Sequence, residues 1–245
     1  MSKIEKSAEK VFDSLKAHLR KLPKDPSAVR IHKIRVLLKK TKAIINLLDY
    51  TFKKFRGHQE WIPFRTIFRA MAYLRQSDVL IALLLKFEVE GIKDQLTTAD
   101  PAAQMTELND QIPIYIDTIR KRSRHLQTYL TKVRKKQIIE YLEDKNHEIK
   151  GQLYPRADMH SIHKTRKAIK EVIYLAEVVG GQSRRRLKLF KMLEERIGKL
   201  HDKQTLLKLL QTHRGPVHDA KRELIRAACI KDEVGIYKLS YRHYR

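Results

Sequence analysis

The stretch IHKIRVLLKKTKAIINLLDY, residues 31–50, recurs in altered form as IHKTRKAIKEVIYLAEVVGG, residues 162–181. His32 matches His163, Lys33 matches Lys164, Arg35 matches Arg166 and Lys39 matches Lys170, all at an offset of 131 residues. Farther along, MAYLRQSDVLIALLL from Met71 aligns with IGKLHDKQTLLKLL from Ile197 at an offset of 126, which pairs Phe64 with Phe190, Arg65 with Lys191 and Arg75 with His201. Self-similarity on this scale marks an internal duplication. It predicts one domain over residues 1–245 made of two helical bundles related by a pseudo-two-fold axis, with approximate halves 1–135 and 136–245 and a cleft between them. The join is expected between residues 134 and 157.

Both copies read as helix. At about 100° per residue, His32, Arg35, Lys39 and Lys42 fall within an arc of roughly 80°. Ile34, Leu37, Leu38, Thr41, Ile44, Ile45 and Leu48 fill the adjoining arc, which must face a core. In the second copy His163, Arg166 and Lys170 border the corresponding arc of Ile162, Ala168, Ile169, Val172, Leu175, Ala176 and Val179. The whole chain holds only eight Gly and seven Pro, so it has few turns and long elements. Their positions, Pro23/Pro26, Gly57/Pro63, Gly91 to Pro101, Pro113, Gly151/Pro155, Gly180/Gly181 and Gly215/Pro216, are expected to mark helix ends. The predicted helices lie near 3–21, 28–54, 61–90, 106–134, 136–150, 158–179, 184–212 and 217–230. No segment alternates with period two, so the fold class is all-α.

Charge limits what such a bundle can do. The 245 residues carry 53 Lys+Arg against 28 Asp+Glu, a formal net charge of +25. Like charges at this density repel one another in the compact state, so the excess points to a polyanionic partner: nucleic acid, an anionic membrane or polyphosphate. Apolar residues at 42% are enough for a core and exclude a disordered basic tail. The longest uninterrupted apolar run, Val79 to Leu85, is too short to span a bilayer. The opening MSKIEKSAEK lacks the apolar centre of a secretory signal, and a cytoplasmic location is expected. A lone cysteine, Cys229, excludes an intramolecular disulfide and a cysteine-based metal centre.

Lys and Arg on a helix usually occupy its solvated back. A duplicated single-sign stripe beside the core seam, without acidic partners at i,i+4, instead reads as the lining of a groove. The run Arg120, Lys121, Arg122, Arg124, Lys132, Arg134, Lys135 and Lys136 points in all directions and reads equally as helix-surface charge. Arg184, Arg185, Arg186, Lys188 and Lys191 open another helix. His32 and His163 have no carboxylate or cysteine on their face to complete a metal site, and neighbouring cations oppose a divalent ion, so no metal and no cofactor is expected. Two roles stay open for them: donation to a phosphate oxygen, or burial as satisfied core imidazoles.

HKIR followed by KKTK, HKTR followed by KEVIY, and the GKLHDKQTLL segment together resemble the CHAD family, the conserved histidine α-helical domain, over nearly the whole chain. The resemblance implies two helical bundles with pseudo-two-fold symmetry and binding of inorganic polyphosphate through a basic central channel. Carried over residue by residue, it implies that His32, Arg35, Lys39, Lys40 and Lys42 of the first copy contact polyphosphate, together with His163, Arg166 and Lys170 of the second, and Lys33 and Lys164, which match each other in the repeat, are expected beside them. Arg65, Arg75, Lys191 and His201 join them through the downstream alignment. Where the family's second copy usually continues with two further basic residues, this chain has Glu171 and Ile173, so a weaker second stripe is expected. Arg75, Gln76, Ser77 and Asp78 stand where the first copy usually reads Arg-Asp-x-Asp.

The expected function is therefore non-catalytic binding of inorganic polyphosphate in a basic central groove, in the cytoplasm and at polyphosphate granules. The alternative is a helical module that binds RNA or DNA without sequence preference. That reading calls for exposed aromatics beside the stripe, whereas Trp61, Phe64, Phe68 and Phe190 sit at core-like spacing. A phosphatase or kinase would need a metal-binding carboxylate cluster or a phosphate-cradling glycine loop, and the sequence has neither, so no enzyme is expected.

Overall fold

The computed structural model describes residues 2–89, 101–153, 159–211 and 216–244, without the side chains at 72–79, 101–104, 159–160, 216–218 and 242–244. Among the described residues the chain is helical, with no strand. The helices are α1 (Lys3–Lys21), α2 (Ala28–Thr51), α3 (Gly57–Lys86), α4 (Pro101–Leu130), α5 (Lys135–Leu153), α6 (Met159–Val179), α7 (Arg184–Gln211) and α8 (Pro216–Tyr244). The chain gathers into two compact units. The first is Met1–Gln76, Ala99–Glu143 and Tyr174–Gly181, and the second is Ser77–Thr98, Asp144–Ile173 and Gln182–Arg245.

In the first unit α1 packs on both α2 and α4. Its apolar residues Ile4, Ala8, Val11, Phe12, Leu15 and Leu19 recur at helical spacing and are all buried. Ser2 starts the helix with a capping box: the Glu5 amide donates to Ser2 Oγ at 3.4 Å, and the Ser2 amide donates to Glu5 Oε1 at 2.8 Å. Ser27 caps α2 by accepting from the Arg30 amide at 3.3 Å. Ile34, Leu38, Thr41, Ile44, Ile45 and Leu48 of the expected core arc are buried, and Leu37 is half-buried at its edge. Thr41 is fully buried, and its hydroxyl donates to the Leu37 carbonyl at 3.1 Å.

In the second unit α7 and α8 run antiparallel and bury Leu200, Leu206, Leu210, Ile225, Cys229 and Ile236. Lys203 Nζ reaches across to Asp232 Oδ2 at 2.5 Å and to the Ala228 carbonyl at 3.3 Å. Arg222 Nη1 donates to the Leu210 carbonyl at 2.9 Å, which satisfies one of the acceptors left open at the end of α7. Helix α6, whose last turns from Tyr174 on belong to the first unit, stops at Gly180 and Gly181, with φ of 81° and 90°, conformations that a side chain would strain.

Several expected boundaries move, and three of the shifts have a visible cause or consequence. Helix α3 begins at Gly57 rather than near 61 because Asp49 Oδ1 accepts from the Gly57 amide at 2.7 Å. Helix α4 begins at Pro101 rather than near 106, in keeping with the fit of proline to the first helical turn. Helix α8 runs on past 230 to Tyr244, matching α7 in length, and Gly235 admits the Arg196 side chain against its backbone. Pro63 and Pro113 lie inside α3 and α4 rather than at helix ends. Pro113 is exposed, where the carbonyl that loses its amide partner can face water.

Candidate functional site

The second unit holds the best-defined basic site. As α6 advances from His163 through Arg166 to Lys170, its contacts on α7 fall back from His201 through Gly198 to Glu194, so the two helices run antiparallel. The spacing of three and four residues puts His163, Arg166 and Lys170 on one face of α6. Ile162, Ala168, Ile169 and Val172, all buried, anchor the adjoining face. Arg166 Nε and Nη2 each lie 3.2 Å from Glu194 Oε1, and Lys170 Nζ lies 2.8 Å from the same oxygen. A Cβ at position 198 would stand 2.6 Å from Arg166 Nη2, so the glycine is what lets the guanidinium lie against α7.

One turn along, the imidazoles of His163 and His201 face each other with centroids 5.2 Å apart and rings inclined at 38°. They line an open cavity of about 300 Å3 with Ile162, Ile197, Leu200, Gln204 and Lys208. Partial desolvation at the cavity lowers the pKa of His201 below 6.5, and Arg166, Lys170 and Lys208 lower it further against the opposing pull of Asp202. Burial works to raise the Glu194 carboxyl, but Lys170 and Arg166 outweigh it and hold the group below 4.5. The cavity thus presents two imidazoles, an amide and an ammonium around one opening, with the Arg166–Glu194–Lys170 clamp farther along the same two helices. Among the described residues no group of three or more His, Cys, Asp or Glu could hold a metal ion.

The first unit arranges its stripe differently. Arg35 Nη1 donates to the Phe68 carbonyl at 3.2 Å, and its guanidinium carbon stands 4.3 Å from the centre of the Phe68 ring. Lys42 Nζ lies 5.3 Å over the Trp61 ring. These paired contacts make α2 and α3 antiparallel here, and cation–π attraction seats both cations on one aromatic edge. Lys40 Nζ meets Glu177 Oε2 at 3.0 Å. His32, Lys33 and Arg65 are exposed, and Lys39 is half-buried. The Arg75 side chain lies outside the described residues. In the second unit Lys164, Lys191 and His201 are exposed, and His163, Arg166 and Lys170 are half-buried.

Two expectations about chemistry change. The stripes do meet carboxylates, which arrive from other segments of the chain as Glu177 and Glu194 rather than from i,i+4 positions. Trp61 and Phe68 are not fully buried core like Phe64 and Phe190, but carry cations on their faces. Ile173 is buried, and Glu171, with Glu148, acts on Lys145, whose ammonium stays above 10.5 although burial works to lower it. In the 120–136 run, Arg120 and Lys121 pair with Asp117 at 2.5 and 2.7 Å, and Arg122 lies 3.5 Å from Glu60. Glu194, Gly198, Gln204 and Lys208 were not among the expected site residues. Their signal is the spacing 194, 198, 201, 204 and 208 along one face of α7, which continues the match at His201 in both directions.

No curated protein and no solved structure matches the chain. The CHAD domain matches residues 6–211, a span that takes in both basic stripes and all of α7, and the chain belongs to the CHAD domain family.

Proposed function

We propose that this protein binds inorganic polyphosphate without turning it over, through the basic side chains of both units. The observation that carries this reading is the clamp in the second unit. Two cations on α6 converge on a single carboxylate oxygen of Glu194, at 3.2 and 2.8 Å, which is the contact set a phosphate oxygen takes from an Arg fork and a Lys ammonium. Membership of the CHAD family, which is linked to polyphosphate and triphosphate binding in general, supports the same ligand class. Arg35, Lys39, Lys40 and Lys42 are assigned the corresponding role in the first unit, and His32, His163 and His201 donate to phosphate oxygens. The affinity comes from the number of contacts, and counterion release makes it fall steeply with salt.

Non-specific binding of RNA or DNA is the second reading, and the half-buried Trp61 and Phe68 beside Lys42 and Arg35 favour it. A salt titration of binding to long-chain polyphosphate separates the two, with single-stranded RNA, duplex DNA and short oligophosphate as competitors at matched charge. Polyphosphate is expected to bind most tightly and to persist at salt concentrations that strip the nucleic acids. RNA or DNA winning at matched charge would transfer the site to nucleic acid.

A further inference from the structure

We propose that Glu194 is a built-in competitor for the anion site of the second unit, a carboxylate that a ligand must displace and that thereby selects long polyanions over single phosphates. The identity of the physiological ligand rests on the polyphosphate reading above; the competition itself does not.

The geometry is that of an occupied oxyanion site. Glu194 Oε1 receives Arg166 Nε and Nη2 at 3.2 Å each and Lys170 Nζ at 2.8 Å. Many ion pairs among the described residues join one cation to one carboxylate within a helix, as in Lys199 with Glu195. Here two cations from one helix converge on one oxygen from another at 2.8 to 3.2 Å, closer than Arg122 and His125 approach Glu60 Oε1, at 3.5 and 3.3 Å. The backbone of α7 is shaped to the same end, because Gly198, one turn after Glu194, leaves room for the guanidinium to lie flat against it. A phosphate oxygen placed at Glu194 Oε1 would keep every one of these donors.

The clamp is accessible. The side chains of Arg166, Lys170 and Glu194 are 19, 22 and 24% exposed, so a ligand can reach them, while water does not fully screen them. The cavity beside them, with His163, His201, Gln204 and Lys208 at its edge, offers a first set of donors one turn away. A polyanion seated there brings further charges up to the clamp on the same molecule. Its second contact is then intramolecular, with a high effective concentration, and it can win against the tethered carboxylate. A single phosphate has no such advantage. The alignment puts Phe68 of the first copy opposite Glu194, where it carries no charge, and the first stripe's carboxylate is Glu177 on Lys40, so the Arg–Lys clamp on one oxygen is a feature of the second unit.

The test uses the full chain and the ring resonances of His163 and His201 as reporters, with inorganic phosphate, tripolyphosphate and long-chain polyphosphate as probes. In the wild type, millimolar inorganic phosphate is expected to leave these resonances unmoved. In Glu194→Gln they shift, and affinity for tripolyphosphate rises about tenfold, as removal of a pair of part-exposed charge contacts worth about 1.4 kcal/mol together predicts. Glu194→Asp keeps the charge and is expected to keep most of the selectivity, so a gain in Glu194→Asp as large as in Glu194→Gln overturns the proposal. Unchanged or weaker phosphate binding in Glu194→Gln also overturns it, and assigns Glu194 to positioning the two cations. A second readout needs no variant. The Glu194 carboxyl carbon of the wild type should lose its clamped chemical shift when polyphosphate binds, and retention of that shift in the saturated complex counts against displacement. If polyphosphate fails to bind the wild type, the function proposed above fails, while the Glu194→Gln response to inorganic phosphate still decides the competition.

Discussion

His201 is the side chain whose charge is most exposed to change at this site. Partial desolvation, Arg166, Lys170 and Lys208 all disfavour its imidazolium, with only Asp202 opposing, so its folded pKa lies below the ordinary 6.5. The sign follows directly. As pH falls below 6.5 the unfolded chain takes up this proton first, and stability declines until the lowered folded value is reached, where the loss levels off. An anion in the cavity neutralises the cations that hold the imidazole uncharged, so binding raises its pKa and takes up a proton. Polyphosphate affinity should therefore increase as pH falls from 7 toward 5.5, with proton uptake measurable by calorimetry in buffers of different ionisation enthalpy. His201→Gln should flatten both trends, and a pH-independent wild-type affinity would remove His201 from the site. Gly198 gives a second prediction at this scale. A methyl group there meets the mobile end of Arg166, so Gly198→Ala should change stability by less than about 1 kcal/mol, helix propensity offsetting the displaced ion pair. The same variant should lose the Arg166 contribution to anion binding, which a thermal melt beside a binding isotherm resolves.

At the scale of elements, an ion pair set among apolar side chains helps to tie α8 to α7. Lys203 and Asp232 are 13 and 17% exposed, and Lys203 also donates to the Ala228 carbonyl. Replacing either alone leaves the other charge half-desolvated. Lys203→Met or Asp232→Leu should each cost about 2 kcal/mol in denaturant unfolding, while the double variant recovers most of it. Additive losses would show instead that each residue acts through separate contacts. The helices themselves were legible because their apolar positions recur with the helical period, and α1, α6 and α7 begin and end within a residue or two of the positions read from the pattern. Helix starts set by tertiary contact were not. The Asp49 carboxylate that receives the Gly57 amide is eight residues away, and no local spacing announces it. The candidate site was legible to the same degree. The residues of α6 repeat those of α2 and can be found by alignment, whereas Glu194 becomes visible only once α6 and α7 are laid antiparallel. A search for acidic partners at i,i+4 cannot meet a carboxylate 24 residues along the chain from Lys170.

For the molecule as a whole, the net charge of +25 makes salt act in opposite directions on folding and on binding. In the free protein like charges repel across the compact state, and added sodium chloride screens them, with a Debye length of about 10 Å at 0.1 M and about 3 Å at 1 M. The melting temperature of the free chain should rise between 50 and 500 mM salt. Binding of polyphosphate should weaken over the same interval, because each neutralised phosphate releases condensed counterions that added salt makes harder to release. The slope of log affinity against log salt then counts the phosphates engaged, at roughly 0.7 per contact if polyphosphate behaves as a single-stranded polyanion. Replacing Arg35, Lys39 and Arg166 together with glutamine removes three cations from the two stripes and should make that slope shallower by about 2. It should also raise the melting temperature of the free protein at low salt, since the variant carries less self-repulsion. A variant that binds with the wild-type slope would place these three residues outside the interface. One that melts lower at low salt would mean that their structural contacts, such as Arg35 on Phe68, outweigh the repulsion they add.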